Sequence, residues 1–349
     1  MLPSPATSAK RSGFRRIDVG PPRNITKRLL SRSRFTNLGI IILLLITLFS
    51  LYHNLRFWLA SFATYPDTCL APPTIRNSNQ SAKFGSVLWA TVTRPRSLKD
   101  LNHLVVIPGH AIWIGNDTGK RLDDSEWILE PYQKGKARLE ALYQHIQRGL
   151  TIGREDLHSL VVFSGGQTRS NSIMTEAQSY LRLASSIDRS ALPPDNFDRL
   201  TTEDHALDSF QNLLFSIARF KEYTGRYPEQ ITVVGYEFKR RRFEDLHRAA
   251  IHWPENKFNY HGIDPNDDEH VRIATEGERA NGFIPYSKDA YGCHTPLLDK
   301  RQNRNPFQRF HSYYFSAPEL DQLLDWCPGT QTEGWTALFP QQLPWYDPA

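Results

Sequence analysis

Apolar and polar positions alternate along most of the chain in a pattern typical of an α/β fold. Three runs lack polar alternation: "HLVVIP" at 103–108, "SLVVFS" at 159–164 and "ITVVGY" at 231–236. Runs of this kind are typical of parallel strands that are buried on both faces. A short run near Leu200 and "KFNYHGI" at 257–263 are candidates for two further strands.

Helical patterns lie between these runs. Apolar residues recur at helical spacing in "KGKARLEALYQHIQRGL", at 134–150, and in "LDSFQNLLFSIARF", at 207–220. Thr175 and Gln178 are spaced as a capping box before another helix, and "RRRFEDLHRAAI", at 240–251, predicts one more. Strands separated by helices predict a Rossmann-like α/β fold with an open, mostly parallel sheet and helices on both faces.

One apolar run is too long for a strand. "FTNLGIIILLLITLFSLY", at 35–52, has no charged residue and is long enough to cross a bilayer. Arg56 and Trp58 follow as interfacial residues would. We predict one uncleaved transmembrane helix at 35–58; a cleaved signal peptide and a buried soluble helix are the alternatives.

The basic charge of the chain is concentrated before this run. The formal net charge is +5, but residues 1–34 hold nine Lys and Arg against one acid, which leaves 33 basic and 36 acidic residues elsewhere. A nucleic-acid-binding domain is therefore not indicated. A basic flank predicts a cytosolic N-terminus, hence a type II protein whose main domain is lumenal (ER or Golgi) or extracellular. The membrane is the partner that the anchor predicts.

The pattern divides the chain into five parts. They are a basic tail at 1–34, the anchor at 35–58, a Pro-, Asn- and Ser-rich stem at 59–101, the α/β domain at 102–265 and a C-terminal wrap at 266–349. We expect the wrap to cover the sheet and to rim the site without independent chemistry, and we predict one helix in it, Ala317 to Trp326, with a Ser316 cap.

Two features test the lumenal placement. Asn79 and Asn116 each begin a tripeptide that matches the acceptor pattern for N-glycosylation. Three cysteines permit at most one intramolecular disulfide. Cys293 with Cys327 is the pair that we favour, and the alternative is three buried or free thiols.

Small and polar residues follow the predicted strands. Ligands of open parallel sheets bind outside the carboxyl ends of the strands, where helix N-termini present free N–H groups. We expect four segments to converge there: Gly109-His110, Ser164-Gly165-Gly166-Gln167, Thr202-Glu203-Asp204 and Gly235-Tyr236. The glycine pair matches neither a P-loop nor the three-glycine dinucleotide fingerprint, so ATP and NAD are not indicated.

The ordered motifs carry a family resemblance. "VVIPGH", "SGGQTRSNSIMTEA", "TTEDHALDSFQNLLFS" and "VVGYEFKRRRF" together resemble the domain family of unknown function that includes the bacterial SanA, YdcF and ElyC proteins. The resemblance covers roughly residues 102–265. The family's positions match Ser164, Gly165, Gly166, Glu176, Glu203, Ser209, Asn212 and Arg242. Lys239 stands where the family has a histidine. If that histidine acts as a general base in the relatives, this protein must use another group or do something different, because a lysine is protonated near neutral pH unless burial lowers its pKa.

These motifs supply the candidate site residues. The candidate catalytic residues are Glu203, Glu176 and His110. The candidate ligand-binding residues are Gly109, Ser164, Gly165, Gly166, Gln167, Ser209, Asn212, Lys239 and Arg242. The carboxylates could serve as acid and base or hold a divalent cation, and Lys239 with Arg242 could clamp a phosphate. The alternatives are helix-start acids, a structural histidine and a solvated helix face.

Two classes of function follow from these residues. The resemblance implies a hydrolase or transferase that acts on a small anionic or nucleotide-like molecule in glycan, lipid-carrier or envelope metabolism. S-adenosylmethionine or a divalent cation is a cofactor compatible with such a fold. The missing histidine favours the alternative, a non-catalytic binding or regulatory protein of the secretory membrane.

Overall fold

The computed structural model describes residues 38–56, 91–187, 199–329 and 336–346. The chain divides into two units, Met1–Trp89 and Ala90–Ala349. Within the second unit Leu98 and Leu101 are buried, so the folded part begins inside the stretch that the sequence assigned to the stem. Asn79 and Cys69 lie outside the described residues.

The first unit contains one described helix, α1 (Leu38–Arg56), and none of its residues is buried. At 1.5 Å per residue, its 19 residues span about 28 Å, close to the thickness of a bilayer core. The helix is long and apolar enough to cross a membrane, which is consistent with the predicted single-pass anchor.

A five-stranded parallel sheet forms the centre of the second unit, as predicted. The described strands of this unit, in chain order and including two outside the main sheet, are β1 (His103–Pro108), β2 (Ile112–Trp113), β3 (Trp127–Ile128), β4 (Ser159–Ser164), β5 (Leu200–Glu203), β6 (Gln230–Gly235) and β7 (Phe258–Gly262). The main sheet has the order β5-β4-β1-β6-β7, and β2 pairs with β3 in a small antiparallel ribbon. All five strands that the sequence predicted are present and parallel.

Helices cover both faces of the sheet, which confirms the predicted α/β architecture. The described helices of this unit, in chain order, are α2 (Arg96–Lys99), α3 (Lys136–Glu155), α4 (Glu176–Ser186), α5 (Ser209–Thr224), α6 (Arg248–Ala250), α7 (Asp268–Glu278), α8 (Ile284–Lys288), α9 (Leu297–Asn303), α10 (Tyr313–Ser316) and α11 (Asp321–Leu324). Two π-helical segments, Arg242–His247 and Arg279–Phe283, precede α6 and α8.

The strand β1 shows how one sequence serves two cores. Leu104 and Val106 point to the face covered by α5 and the C-terminal segment, whereas Val105 and Ile107 point to the face covered by α3 and α4. Successive side chains of a strand alternate between the faces. An uninterrupted apolar run is therefore what a strand with helices on both sides requires.

The C-terminal segment differs from its prediction. The single helix from Ala317 to Trp326 was wrong: α10 ends at Ser316, Pro318–Leu320 is a 3-10 turn, and α11 follows. Proline disfavours the helical conformation at the residue before it, and Ala317 has φ −137° and ψ 62°. Ser316 makes no capping hydrogen bond to the following turn.

The favoured disulfide is present. Cys293 and Cys327 are bonded, with a Cα–Cα distance of 5.9 Å. The bond encloses α9, α10 and α11, so this part of the wrap is covalently closed. It packs on the sheet within the compact unit Ala90–Ala349.

Candidate functional site

A cavity of about 530 Å³ lies at the carboxyl ends of β1 and β6. The chain runs from β1 outward to β4 and β5, then returns to β6 on the other side of β1. The crevice at such a reversal of strand order is where open α/β sheets bind their ligands. Residues that follow β1 and β6 line it, together with the start of α5 and parts of α7 and α9.

His110 and Tyr236 form one wall of the cavity. Their rings are stacked with centroids 5.1 Å apart, and the Tyr236 ring stacks in turn on Phe238 at 4.8 Å. Burial lowers the pKa of His110 well below its ordinary value, so the imidazole is neutral at neutral pH. Its buried Nε2 atom has no hydrogen-bond partner among the described residues. A neutral ring with one free nitrogen can exchange a proton with a ligand.

Lys239 ends the 3-10 turn Glu237–Lys239 that directly follows β6. Its Nζ lies 3.4 Å from His110 Nδ1 and 5.1 Å from the centroid of the Tyr236 ring. Burial lowers the pKa of Lys239 to about 7, and the nearby charge of Arg242 adds to this effect. The neutral amine is therefore much more accessible near pH 7 than it is for an ordinary lysine.

Arg242 faces the cavity with a carboxylate behind it. Its Nε lies 3.2 Å from Glu278 Oε1, and the two side chains are 11% and 9% exposed. A Cβ on Gly282 would lie 2.4 Å from Arg242 Nη1, so this glycine makes room for the guanidinium. The pairing fixes the direction of Arg242, since a buried charge needs a partner.

Glu176 is the first residue of α4 and lines the cavity. Thr168 donates a hydrogen bond to its Oε1 at 2.5 Å. Burial raises the pKa of Glu176, although Arg304 and Arg169 oppose that shift. The side chain is only 8% exposed, and any Cβ at Gly109 would lie 2.6 Å from Glu176 Cβ. Gly109 thus allows β1 to end directly against this carboxylate.

The glycine turn after β4 is a structural corner. The amide of Gly165 donates to the Glu203 carbonyl at 2.9 Å, and the amide of Gly166 donates to the Ala206 carbonyl at 2.7 Å. A Cβ on Gly166 would lie 2.9 Å from that same carbonyl oxygen. Gln167 donates to the Ile173 carbonyl. These predicted ligand-binding residues do not line the cavity. The polar groups just described are bonded to other parts of the protein.

Glu203 lies below this corner and is completely buried. Four donors reach its carboxylate: Ser164 Oγ at 2.7 Å, the His205 amide at 2.8 Å, Tyr313 Oη at 3.1 Å and the Ala206 amide at 3.2 Å. Burial raises its pKa to about 7 in spite of these bonds. Glu203 does not line the cavity, so the structure gives this predicted catalytic residue the position of a brace between β4, β5 and α10.

Ser209 and Asn212 start α5 and line the cavity. Ser209 Oγ lies 2.8 Å from His247 Nε2, and Asn212 Oδ1 accepts a hydrogen bond from Ser164 Oγ at 3.0 Å. Asn212 is buried, and so is Ser216 one turn further along α5. The polar side chains on this side of α5 therefore do not form a solvated helix face.

The C-terminal wrap supplies charges that the sequence analysis left out. Glu278, Lys300 and Arg304 all line the cavity, so the expectation that this segment has no chemistry of its own was incomplete. Arg301 pairs with the buried Asp208 at the N-cap of α5. The basic cluster "DKRQNR", at 299–304, was the available signal.

The charges around the cavity are unequal. The basic side chains are Arg138, Arg169, Lys239, Arg242, Lys300 and Arg304, and the acidic ones are Glu176, Asp208 and Glu278. Asp208 and Glu278 are each engaged by an arginine. Arg304 donates to the Leu207 carbonyl at 3.1 Å and forms no salt bridge within the described residues. A smaller pocket of about 350 Å³ adjoins the cavity and shares Arg169, Lys300 and Arg304 with it.

This charge balance suits an anion better than a cation. Glu203 is outside the cavity and Glu278 holds Arg242, so the described residues bring no pair of unengaged carboxylates together there. In the described part of the chain, potential metal ligands cluster at Cys293, His294 and Cys327, where both sulfurs are in the disulfide.

The chain is similar in sequence to a known yeast protein. It is 30% identical over 264 residues to the uncharacterized protein YOR238W of Saccharomyces cerevisiae, a match that covers 60% of this chain and 86% of the yeast protein. No protein-family model matches the chain. No solved structure matches it.

Proposed function

The chain belongs to the family of the yeast protein YOR238W, and we propose that this member is a membrane-anchored protein that binds a small anionic, phosphorylated or nucleotide-like molecule in the cavity between β1 and β6. The excess of basic over acidic side chains around that cavity is the observation that carries the proposal. The ordered motifs at 102–265 support the further proposal that this family is related to the bacterial SanA, YdcF and ElyC proteins.

The basic residues differ in how they would meet an anion. Arg242 is held in place by Glu278, whereas Arg304 is exposed and has only a carbonyl as partner. Arginine binds phosphate through paired N–H groups, and desolvated contacts of this kind are strong. The half-buried ring of Phe238, which stacks on Tyr236, offers an apolar surface for a ring of the ligand.

Hydrolysis or group transfer is the reaction class that the titratable groups support. His110 is a neutral base with a free nitrogen, and Glu176 is a carboxyl group with a raised pKa. A neutral imidazole can accept a proton, and a raised pKa makes a carboxyl group more able to hold and donate one, so the two groups suit the base and acid roles of one reaction. A non-catalytic binding protein is the second candidate, favoured by Glu203 being a brace instead of a cavity-facing acid.

Type II topology with a lumenal or extracellular domain belongs to this proposal. The basic residues before α1 support a cytosolic N-terminus. Asn116 is exposed, as a glycosylation acceptor must be, and the Cys293–Cys327 disulfide is typical of an oxidising compartment.

Ligand screening of the detergent-solubilised full chain tests the proposal. We expect nucleoside diphosphates, sugar nucleotides, polyprenyl phosphates or S-adenosylmethionine to raise Tm more than divalent cations do. Arg242→Gln should abolish the effect, whereas Arg241→Gln, whose parent side chain is 72% exposed and pairs with Asp245, should retain it. Equal responses of both variants would contradict the proposed site, and turnover of a stabilising ligand would decide for an enzyme.

A further inference from the structure

The two lysines of the cavity have different surroundings. Lys300 is half-buried and donates a hydrogen bond to the Asn281 carbonyl at 2.7 Å, and burial together with the charge of Arg304 lowers its pKa as well. Lys239 Nζ has only His110 Nδ1, at 3.4 Å, and the faces of two rings, Tyr236 at 5.1 Å and Phe238 at 6.0 Å. It forms no salt bridge within the described part of the chain.

Every charged group that acts on Lys239 comes from a different element. Arg242, from the π-helical segment, and Arg304, after α9, repel a proton on the amine. Glu278 of α7 and Glu176 of α4 attract it, but Glu278 is engaged by Arg242 and Glu176 by Thr168. The adjacent His110 ring is neutral. Burial and like charges together lower the pKa of Lys239 to about 7, which is how proteins keep a lysine unprotonated and nucleophilic.

We propose that Lys239 is a nucleophile that forms an imine with the carbonyl carbon of a small anionic aldehyde or ketone bound in the cavity. The inference rests on the proposed function, because the anionic group is what Arg242 and Arg304 would hold. Lys239 lies on the same wall of the cavity, on the turn that immediately precedes Arg242. A carbonyl group attached to the bound anion would therefore meet the amine.

The step needs no redox partner. The neutral Nζ attacks the carbonyl carbon, a C–N bond forms, and the carbonyl oxygen takes the electron pair of the C=O double bond. Nitrogen loses two protons, oxygen gains two, and the oxygen leaves as water. His110 is within reach of Nζ through Nδ1 and has a second nitrogen free, so it can accept a proton and return it. The nitrogen lone pair forms the second C–N bond, and the product is a neutral imine plus water. Once the imine nitrogen takes up a further proton from the solvent, it withdraws electrons from the neighbouring bonds of the ligand.

Reductive trapping tests the inference directly. Pyridoxal 5'-phosphate combines an aldehyde with a phosphate, and sodium borohydride converts an imine into a stable amine that peptide mass spectrometry locates. At pH 7 an ordinary lysine is unprotonated in only about one molecule in 2,500. We therefore expect Lys239 to be labelled at least about tenfold faster than the other lysines, with a rate that rises at a pH below the usual lysine pKa even after the bound phosphate has raised the pKa of Lys239 from about 7.

Three comparisons separate this inference from the function on which it rests. Lys239→Arg keeps a cation but has no primary amine, so the fast labelling should disappear. Pyridoxal, which lacks the phosphate, should label Lys239 more slowly. Pyridoxamine 5'-phosphate cannot form an imine and should still bind, as calorimetry measures.

The outcomes are distinct. Binding of pyridoxamine 5'-phosphate with labelling confined to Lys300 or spread over surface lysines would overturn the imine inference and leave the anion site standing. Absence of any binding or selective labelling would overturn both. Fast labelling of the wild type at Lys239 supports the inference even if Lys239→Arg fails to fold.

Discussion

The glycine corner after β4, with Glu203 beneath it, and the wall formed by His110, Tyr236 and Lys239 both hold buried polar groups, but these groups are bonded in opposite ways. At the corner, the amides of Gly165 and Gly166 and the carboxylate of Glu203 are all bonded within the protein. At the wall, His110 Nε2 is free and Lys239 has one weak polar contact. Both regions lie at the same edge of the sheet, yet only the wall lines the cavity.

The difference suggests that hydrogen bonding separates structural polar groups from ligand-binding ones. A buried polar group that makes all its hydrogen bonds stabilises the fold. Removing it leaves its partners buried without a hydrogen bond, which lowers the free energy of unfolding. A polar group without partners is free to bind a ligand. We therefore expect changes at the corner to act on stability and changes at the wall to act on binding.

The largest effect is expected for Glu203→Ala. It removes the acceptor for four neutral donors. Because each buried donor left unsatisfied costs about 1–3 kcal/mol, the free energy of unfolding should fall by about 3 kcal/mol or more. Denaturant unfolding of the full chain measures it. A variant of normal stability that had lost ligand binding would place Glu203 in the site after all.

The same carboxyl predicts a pH dependence. Its pKa of about 7 in the folded protein lies above the ordinary value, so the folded state holds this proton more tightly. Its contribution to stability is fully present below about pH 4.5 and is lost as pH rises through about 7. Glu203→Gln should flatten this slope in unfolding measured between those pH values.

Gly166→Ala should give a smaller loss of stability. The added Cβ would meet the Ala206 carbonyl at 2.9 Å, and the backbone would have to shift, at a cost of about 1–3 kcal/mol. Gly277→Ala is the control, since a Cβ there meets nothing within 4 Å. If thermal unfolding put the two variants at the same Tm, the tight corner would not be a determinant of the fold.

Arg304→Ala should separate binding from stability. The side chain is exposed and loses one bond to a carbonyl, so we expect stability within about 0.5 kcal/mol of the wild type. Loss of a cation at the rim should weaken anion binding by roughly five- to tenfold, about 1 kcal/mol. Calorimetric titration with a phosphorylated ligand measures this change, and an unchanged affinity would remove Arg304 from the site.

The smallest signal is a fraction of a proton. A bound anion raises the pKa of Lys239, which starts at about 7, so binding near pH 7.5 should take up protons. Calorimetry in buffers with different ionisation enthalpies counts them. Lys239→Met should show no uptake, and an uptake that survived in this variant would have to come from another group.

Much of the sheet and the place of the site were predictable from the chain. The uninterrupted apolar run "VVFS" indicates a strand that is buried on both faces. In a parallel sheet of such strands, ligands bind at the edge where the strands end, so the place of the candidate site followed. Which polar residues face the cavity was not predictable. The pattern that places Glu203 beside Gly165 is the same whether a ligand or Tyr313, 110 residues later, fills the space beside it.

The charged side chains that the wrap brings to the cavity were likewise not predictable from the sequence. Arg304 and Glu278 reach the cavity only because the C-terminal segment folds back over the sheet, and no local period encodes that path. The number of cysteines limited the chain to one intramolecular disulfide, and Cys293–Cys327 was the favoured pair, but its role in closing the segment that carries Lys300 was not predictable.

The helix α7 lines the cavity with Ile273, Ala274 and Gly277, yet none of its residues is buried. An element with few buried apolar contacts opens at the lowest free-energy cost. The disulfide-closed segment on the other side has no such freedom. We therefore expect the outward movement of α7 to set how long a captured molecule stays, so that entry and residence time depend on this helix more than on the residues that recognise the ligand.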